Sequence, residues 1–239
     1  MAAGGEFTFW STFWGELLED SNSQYPLAVH GYENISEENK LNNGIEFANL
    51  GTAWGFVQCG EIDFTVDSRR WTVHANEWFC LQQSDFNKIE LKSKTKLFLI
   101  FMRGPKGLNS MGGPLEDQGR LRYIDNCTDT VLYSPPIKGD PCLNFLCFPK
   151  DVIQTPHFHP TVRCGIVVSG QGICEVGTDK YSLSPGKIFF LPANTEHRFC
   201  TTENSFLKVI AFHPDSDYGP THENHPMINR TWFGNKSAV

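Results

Sequence analysis

His157 and His159 lie two residues apart in the run TPHFHP, which starts at Thr155 and has strand character. Side chains at i and i+2 leave a strand on the same face, so both imidazoles can point at one centre. His197 comes after the run Tyr181 to Leu191, where a closed sheet can return it to the first pair. Three converging imidazoles suit a divalent transition metal with coordination positions left open. Arg163 lies in the same stretch. It offers a fixed fork for a carboxylate or phosphate, or pairs with a structural acid such as Glu175.

Strands must position these groups. Gly165 to Val176 is apolar and β-rich, Gly177-Thr178-Asp179-Lys180 supplies a turn, and Tyr181 to Leu191 returns. Cys142 to Phe148 reads as a further strand, after an irregular loop over Ser134–Pro141. Ile166, Val168, Phe189 and Phe199 are expected to wall a mostly apolar pocket around the histidines.

The stretch resembles the two motifs of the cupin superfamily. His157, His159 and Gly170 match the first, and Gly186, Pro192 and His197 match the second. Three positions depart from the pattern. Asp151 and Asn194 stand where glycines are usual, and Arg163 stands where a glutamate ligand is usual. A guanidinium cannot ligate a cation, so the resemblance implies a ligand set of His157, His159 and His197 alone. Similar three-histidine cupins occur among thiol dioxygenases.

The same pattern occurs twice. GFVQCGEIDFTVDSRRWTVHANEWFCL from Gly55 lies on GIVVSGQGICEVGTDKYSLSPGKIFFL from Gly165 without a gap, at a constant offset of 110 (165 − 55 = 110). KLFLIFM from Lys96 is placed on FLKVIAF from Phe206 at that offset. An ungapped match of this length predicts a duplicated fold. In it His157 meets Phe47, His159 meets Asn49, Arg163 meets Ala53 and His197 meets Asn87. The first copy keeps no ligand, so one metal site is expected.

The expected fold is all-β: two tandem cupin barrels of the double-stranded β-helix, or jelly-roll, type, with a short N-terminal helix. The helix is read from Trp10, Phe13, Trp14, Leu17 and Leu18 at near-helical spacing. The chain divides into a helical and loop arm (1–44), a degenerate cupin with its linker (45–118), a metal-binding cupin (119–212) and a tail (213–239). The tail is expected to fold back over the barrel or clasp a neighbour. His213, His222 and His225 match no metal template there. Cys164 adjoins Arg163 and reads as a bystander, and Glu196 reads as exposed.

Composition narrows the function. A net charge of −7 without a run of Lys and Arg argues against a nucleic-acid surface. No apolar run is long enough for a membrane helix. The first residues lack a basic leader and carry acids early, and the 8 cysteines form no C-x-x-C pair. They read as reduced thiols in a cytoplasmic protein. The resemblance implies one divalent metal ion, Fe(II) first, with Zn, Mn or Ni as alternatives. The expected activity is a mononuclear non-haem iron dioxygenase acting on a small anionic molecule. A lyase or isomerase on a redox-inactive metal, and a non-enzymatic ligand-binding barrel, are the alternatives. A single working chain and a homodimer both remain open.

Overall fold

The computed structural model describes residues 7–21, 24–34, 44–46, 50–82, 86–92, 94–104 and 106–237. The strands are, in chain order, β1 (Thr8–Trp10), β2 (Trp14–Asp20), β3 (Leu27–Asn34), β4 (Gly51–Cys59), β5 (Glu61–Val66), β6 (Arg69–His74), β7 (Trp78–Gln82), β8 (Phe86–Leu91), β9 (Thr95–Arg103) and β10 (Ser110–Gly112). The second half continues with β11 (Leu121–Arg122), β12 (Thr128–Tyr133), β13 (Cys142–Phe148), β14 (Arg163–Gly170), β15 (Gly172–Val176), β16 (Asp179–Leu183), β17 (Ile188–Leu191), β18 (Arg198–Cys200) and β19 (Leu207–His213).

They form two barrels. The first joins a sheet β10-β7-β4-β9-β3-β2 to a smaller sheet β6-β5-β8. The second joins β1-β17-β14-β19-β13-β12-β11 to β16-β15-β18. Within each barrel one chain run passes from the large sheet to the small one at a glycine, Gly60 (φ +75) or Gly170 (φ +77). A side chain at Gly170 would also collide with the Phe206 carbonyl. These paired glycines are the turning points of the repeat.

The register confirms the duplication and corrects one strand of it. Gly55 pairs with Phe79 as Gly165 pairs with Phe189, at the offset of 110. On the other side, Phe56 faces Phe98 and Ile166 faces Ile210, so β9 maps onto β19 at an offset of 112 (210 − 98 = 112). The second copy has two more residues before its last strand. A two-residue slip leaves every side chain on the same face, which is why the apolar pattern also matched at 110.

The N-terminal helix is not formed. Residues 8–10 and 14–20 are strands β1 and β2, and Gly15 within β2 has φ +104, which no helix accommodates. The near-helical aromatic spacing is overridden by two open sheet edges that these β-prone residues can pair with. β1 crosses to the second barrel and pairs with β17, Phe9 opposite Phe189. β2 extends the first barrel through β3. The loop part of the expected arm (1–44) is likewise interrupted, because β3 lies between β2 and β9 in the first barrel's sheet.

Alternation along each strand sorts the core into three. Odd positions of β4 and β9, such as Ala53, Val57, Leu97 and Phe101, fill the first barrel. Val167, Phe189, Leu191 and Val209 fill the second. Between the barrels, Trp54, Phe56, Phe98 and Ile100 meet Cys164, Ile166, Ile210 and Phe212. The ring centroids of Trp54 and Phe212 are 5.2 Å apart there. Gln58 Nε2 also donates to the Val168 carbonyl at 2.7 Å. A shared apolar layer of this kind couples the two barrels into one folding unit.

Candidate metal centre

Two loops carry the histidines to the mouth of the second barrel. His157 and His197 form an isolated antiparallel bridge, with N–H···O bonds of 3.0 and 2.9 Å in the two directions. The possible ligand atoms of His157, His159 and His197 all lie within 4.8 Å of one another. This is the one such His, Cys, Asp or Glu group among the described residues. The first-copy counterparts Phe47 and Asn49 lie outside the described residues, as does the side chain of Asn87.

The second ring nitrogens are already committed. His157 Nδ1 is 2.9 Å from the Thr155 carbonyl, and His197 Nδ1 is 2.9 Å from the Thr195 carbonyl. A carbonyl only accepts, so each Nδ1 carries a proton and Nε2 is the nitrogen left to ligate. Burial, then Arg163 and the other two imidazoles, lower His159 to about 3. Burial also lowers His197 to about 4, against the opposing bond to Thr195. Both rings are therefore neutral near pH 7, the form a metal requires. The donor set fits a divalent transition ion.

The loops keep their shape despite the missing glycines. Asp151 (φ 59) and Asn194 (φ 58) both occupy the left-handed region. Asp and Asn tolerate that region better than other side chains, so these substitutions keep the backbone that glycine would give.

Arg163 lines the same cavity as the three histidines. Its Nη1 donates to the Thr161 carbonyl at 3.2 Å, the Thr161 hydroxyl at 2.6 Å and the Val162 carbonyl at 2.9 Å. Its acid is Asp215, at 3.9 Å, and not Glu175, which pairs with Arg198 and Lys180. The guanidinium is thus held from behind, and Nε is buried without a hydrogen bond.

Phe189 and Phe199 line the cavity, together with Leu191, Val209 and Ala211. Ile166 and Val168 do not. Along β14, Arg163 and Val167 face the interior while Cys164, Ile166 and Val168 face the layer between the barrels. Residues an odd number apart on a strand cannot share a face, so these two are removed from the pocket wall. Cys164 is buried in the inter-barrel layer, and burial pushes its thiol well up. Glu196 is exposed.

Sequence reasoning overlooked Tyr123, Asp129, Asn144 and Gln154, which also line the cavity, and it set aside His213, which lines it as well. His213 ends β19 on the face of Val209 and Ala211, its ring 6.5 Å from His159. Once β9 is shifted to its true register, His213 corresponds to Phe101, which packs inside the first barrel opposite Ala53. That contrast was the available signal. Asp129, on β12, accepts from Asn144 Nδ2 at 2.7 Å through one oxygen, and its Oδ1 is buried without a partner. Burial raises its carboxyl pKa, against opposing bonds from Asn144 and the Thr130 backbone. The cavity holds about 60 Å³.

His222 and His225 join no metal group among the described residues. His225 Nδ1 instead accepts from the backbone N–H of Met227 and Ile228. The tail's start folds onto the loop before β13, where Lys138 N donates to the Pro220 carbonyl and Gly139 N to that of Ser216.

An all-β protein of two coupled barrels, with a histidine triad at the mouth of the second, is the class that fold and site define. Residues 144–213 match the cupin domain family. The chain is similar to a cupin 2 conserved barrel domain protein from Leptotrichia buccalis, at 16% identity over 90% of this chain and 92% of that one, TM-score 0.59. It is also similar to a putative glyoxylate-induced protein from Pseudomonas aeruginosa, at 12% identity over 92% and 85%, TM-score 0.61. A variant of Bacillus subtilis oxalate decarboxylase aligns at 10% identity over 92% and 79%, TM-score 0.58. At these identities the likeness is one of fold. Comparison with curated protein sequences finds no match.

Proposed function

We propose that the protein is a mononuclear metal-dependent enzyme acting on a small anionic organic molecule, with Fe(II) as the metal and dioxygen as the co-substrate. The observation that carries the reading is the pairing of a three-histidine set with Arg163 in one cavity. Without a carboxylate ligand the full 2+ charge stays at the site, which favours an anionic substrate. A bound Fe(II) would supply the redox chemistry that the side chains lack.

The chain's own residues have defined parts. His157, His159 and His197 hold the ion. Arg163, tethered through Thr161 and Val162, orients the anionic group by a charge-assisted bond. Phe189, Phe199 and Leu191 exclude water from the reacting end. A cavity of about 60 Å³ admits a molecule of only a few heavy atoms beside the ion.

A second reading replaces iron with a redox-inactive ion and oxidation with a lyase or isomerase step. It is favoured by the shared fold with Bacillus subtilis oxalate decarboxylase, which is described as having Mn(II) centres. Elemental analysis of untagged protein separates the two. About one equivalent of iron, with oxygen uptake on small carboxylates, supports the first reading. Bound manganese or zinc, with no uptake after iron reconstitution, overturns it in favour of the second. Absence of any metal after reconstitution overturns both. A location in the cytoplasm and a homodimer belong to the same proposal, the latter checked by light scattering.

A further inference from the structure

Two of the buried polar atoms that make no hydrogen bond within the chain belong to residues that line the metal cavity. They are Arg163 Nε, a donor, and Asp129 Oδ1, an acceptor. Buried polar groups are nearly always paired, and an unpaired one is costly. Neither residue can turn away to find a partner. Arg163 is pinned by three bonds from Nη1, and Asp129 by Asn144, whose own Oδ1 lies 3.2 Å from Cys142 Sγ. Both groups also act electrostatically on Tyr123, which lines the same cavity. The cavity therefore asks one ligand for two things: an acceptor for Arg163 and a donor for Asp129.

We propose that the site selects a small carboxylate that also carries a hydroxyl or amino group, its carboxylate on Arg163 and its donor hydrogen on Asp129. This deepens the small-anion reading and rests on it. Asp129 becomes a specificity residue. A plain carboxylate of the same skeleton would leave Oδ1 buried and unpaired, the situation in which polar sites discriminate most strongly.

Calorimetric titration of the full chain tests this with two matched pairs of probes, lactate against propionate and glycolate against acetate. The wild-type protein is expected to bind each hydroxy acid about tenfold or more tightly than its parent acid. In Asp129→Asn, Asn144 Nδ2 still needs an acceptor, so the new amide must turn its own NH2 toward the cavity. The acceptor becomes a donor, and the preference should collapse while propionate binding persists. Arg163→Gln should weaken all four probes. Equal affinity within each pair for the wild type overturns the proposal and needs no variant. So does a preference that survives Asp129→Asn, since the hydroxyl would then be held by the metal, or a lack of binding by every probe. Metal content of the same samples separates this inference from the reading beneath it. Protein that keeps its metal without a preference sinks the inference alone. A preference without metal sinks the metal-enzyme reading and leaves the ligand class standing.

Discussion

His157 and His197 are joined backbone to backbone as well as ring to ring. Their amides and carbonyls exchange hydrogen bonds of 3.0 and 2.9 Å, and their ring centroids are 4.6 Å apart. The bridge locks the two loops together before any ion binds, so the ligand geometry is largely preformed. Replacing His157 or His197 by alanine leaves this backbone bridge available while removing a ligand. Each variant is expected to stay folded, by circular dichroism, and to bind metal at least about a hundredfold more weakly in competition with a chelating dye. A variant with undiminished affinity would remove that histidine from the site.

Asp125 holds the first loop from outside. Its carboxylate accepts from Thr155 N at 2.6 Å and lies 3.2 Å from the Thr155 hydroxyl, while the Thr155 carbonyl orients His157 Nδ1. Asp125→Ala should weaken metal binding by about tenfold, less than loss of the ligand itself. Asp125→Asn keeps one acceptor oxygen and should recover most of the loss. Equal affinities for all three proteins would show that Thr155 needs no anchor.

Acid should destabilise the metal-free fold. In the unfolded chain imidazoles titrate near 6.5, whereas His159 is lowered to about 3 and His197 and His30 to about 4. Between these values the unfolded chain binds more protons, so the contribution is intact above pH 6.5 and is lost as the pH falls toward 4. Urea midpoints should drop from pH 7.5 to pH 5, and His159→Asn should lessen the drop without abolishing it. An unchanged drop would mean that the folded His159 takes up a proton as easily as the unfolded one.

Phe212 tests the coupling of the barrels. It is fully buried against Trp54, and its neighbour His213 faces the metal cavity on the opposite side of β19. Phe212→Ala should cost about 3–5 kcal/mol, as large aromatic truncations in a packed core do. Tryptophan fluorescence and far-ultraviolet dichroism should still report a single unfolding transition. Two separated transitions in the wild type would show that the layer between the barrels does not couple them.

The duplication, the strand run from Arg163 to Leu191 and the triad itself were legible because they rest on local pattern. Alternation, paired glycines and an i, i+2 histidine spacing repeat wherever the backbone is extended. Asp151 and Asn194 stood in the sequence only as departures from motif glycines, and the structure showed that both keep the left-handed backbone. The N-terminal aromatic run was not legible. Its spacing suits a helix when the run is considered alone, and only the free edge of β17 made a strand of residues 8–10.

The sequence by itself pointed to two barrels, the histidine triad and the arginine set near it. Only the tertiary structure decided which strand faces meet. It placed Ile166, Val168 and Cys164 between the barrels and His213 in the cavity. It also brought Asp129 from a distant strand to the same space as Arg163. Period-two alternation says that two faces exist. Which of them closes on a cavity and which on a neighbouring barrel follows from non-local packing, where the apolar layer shared by Trp54 and Phe212 is formed.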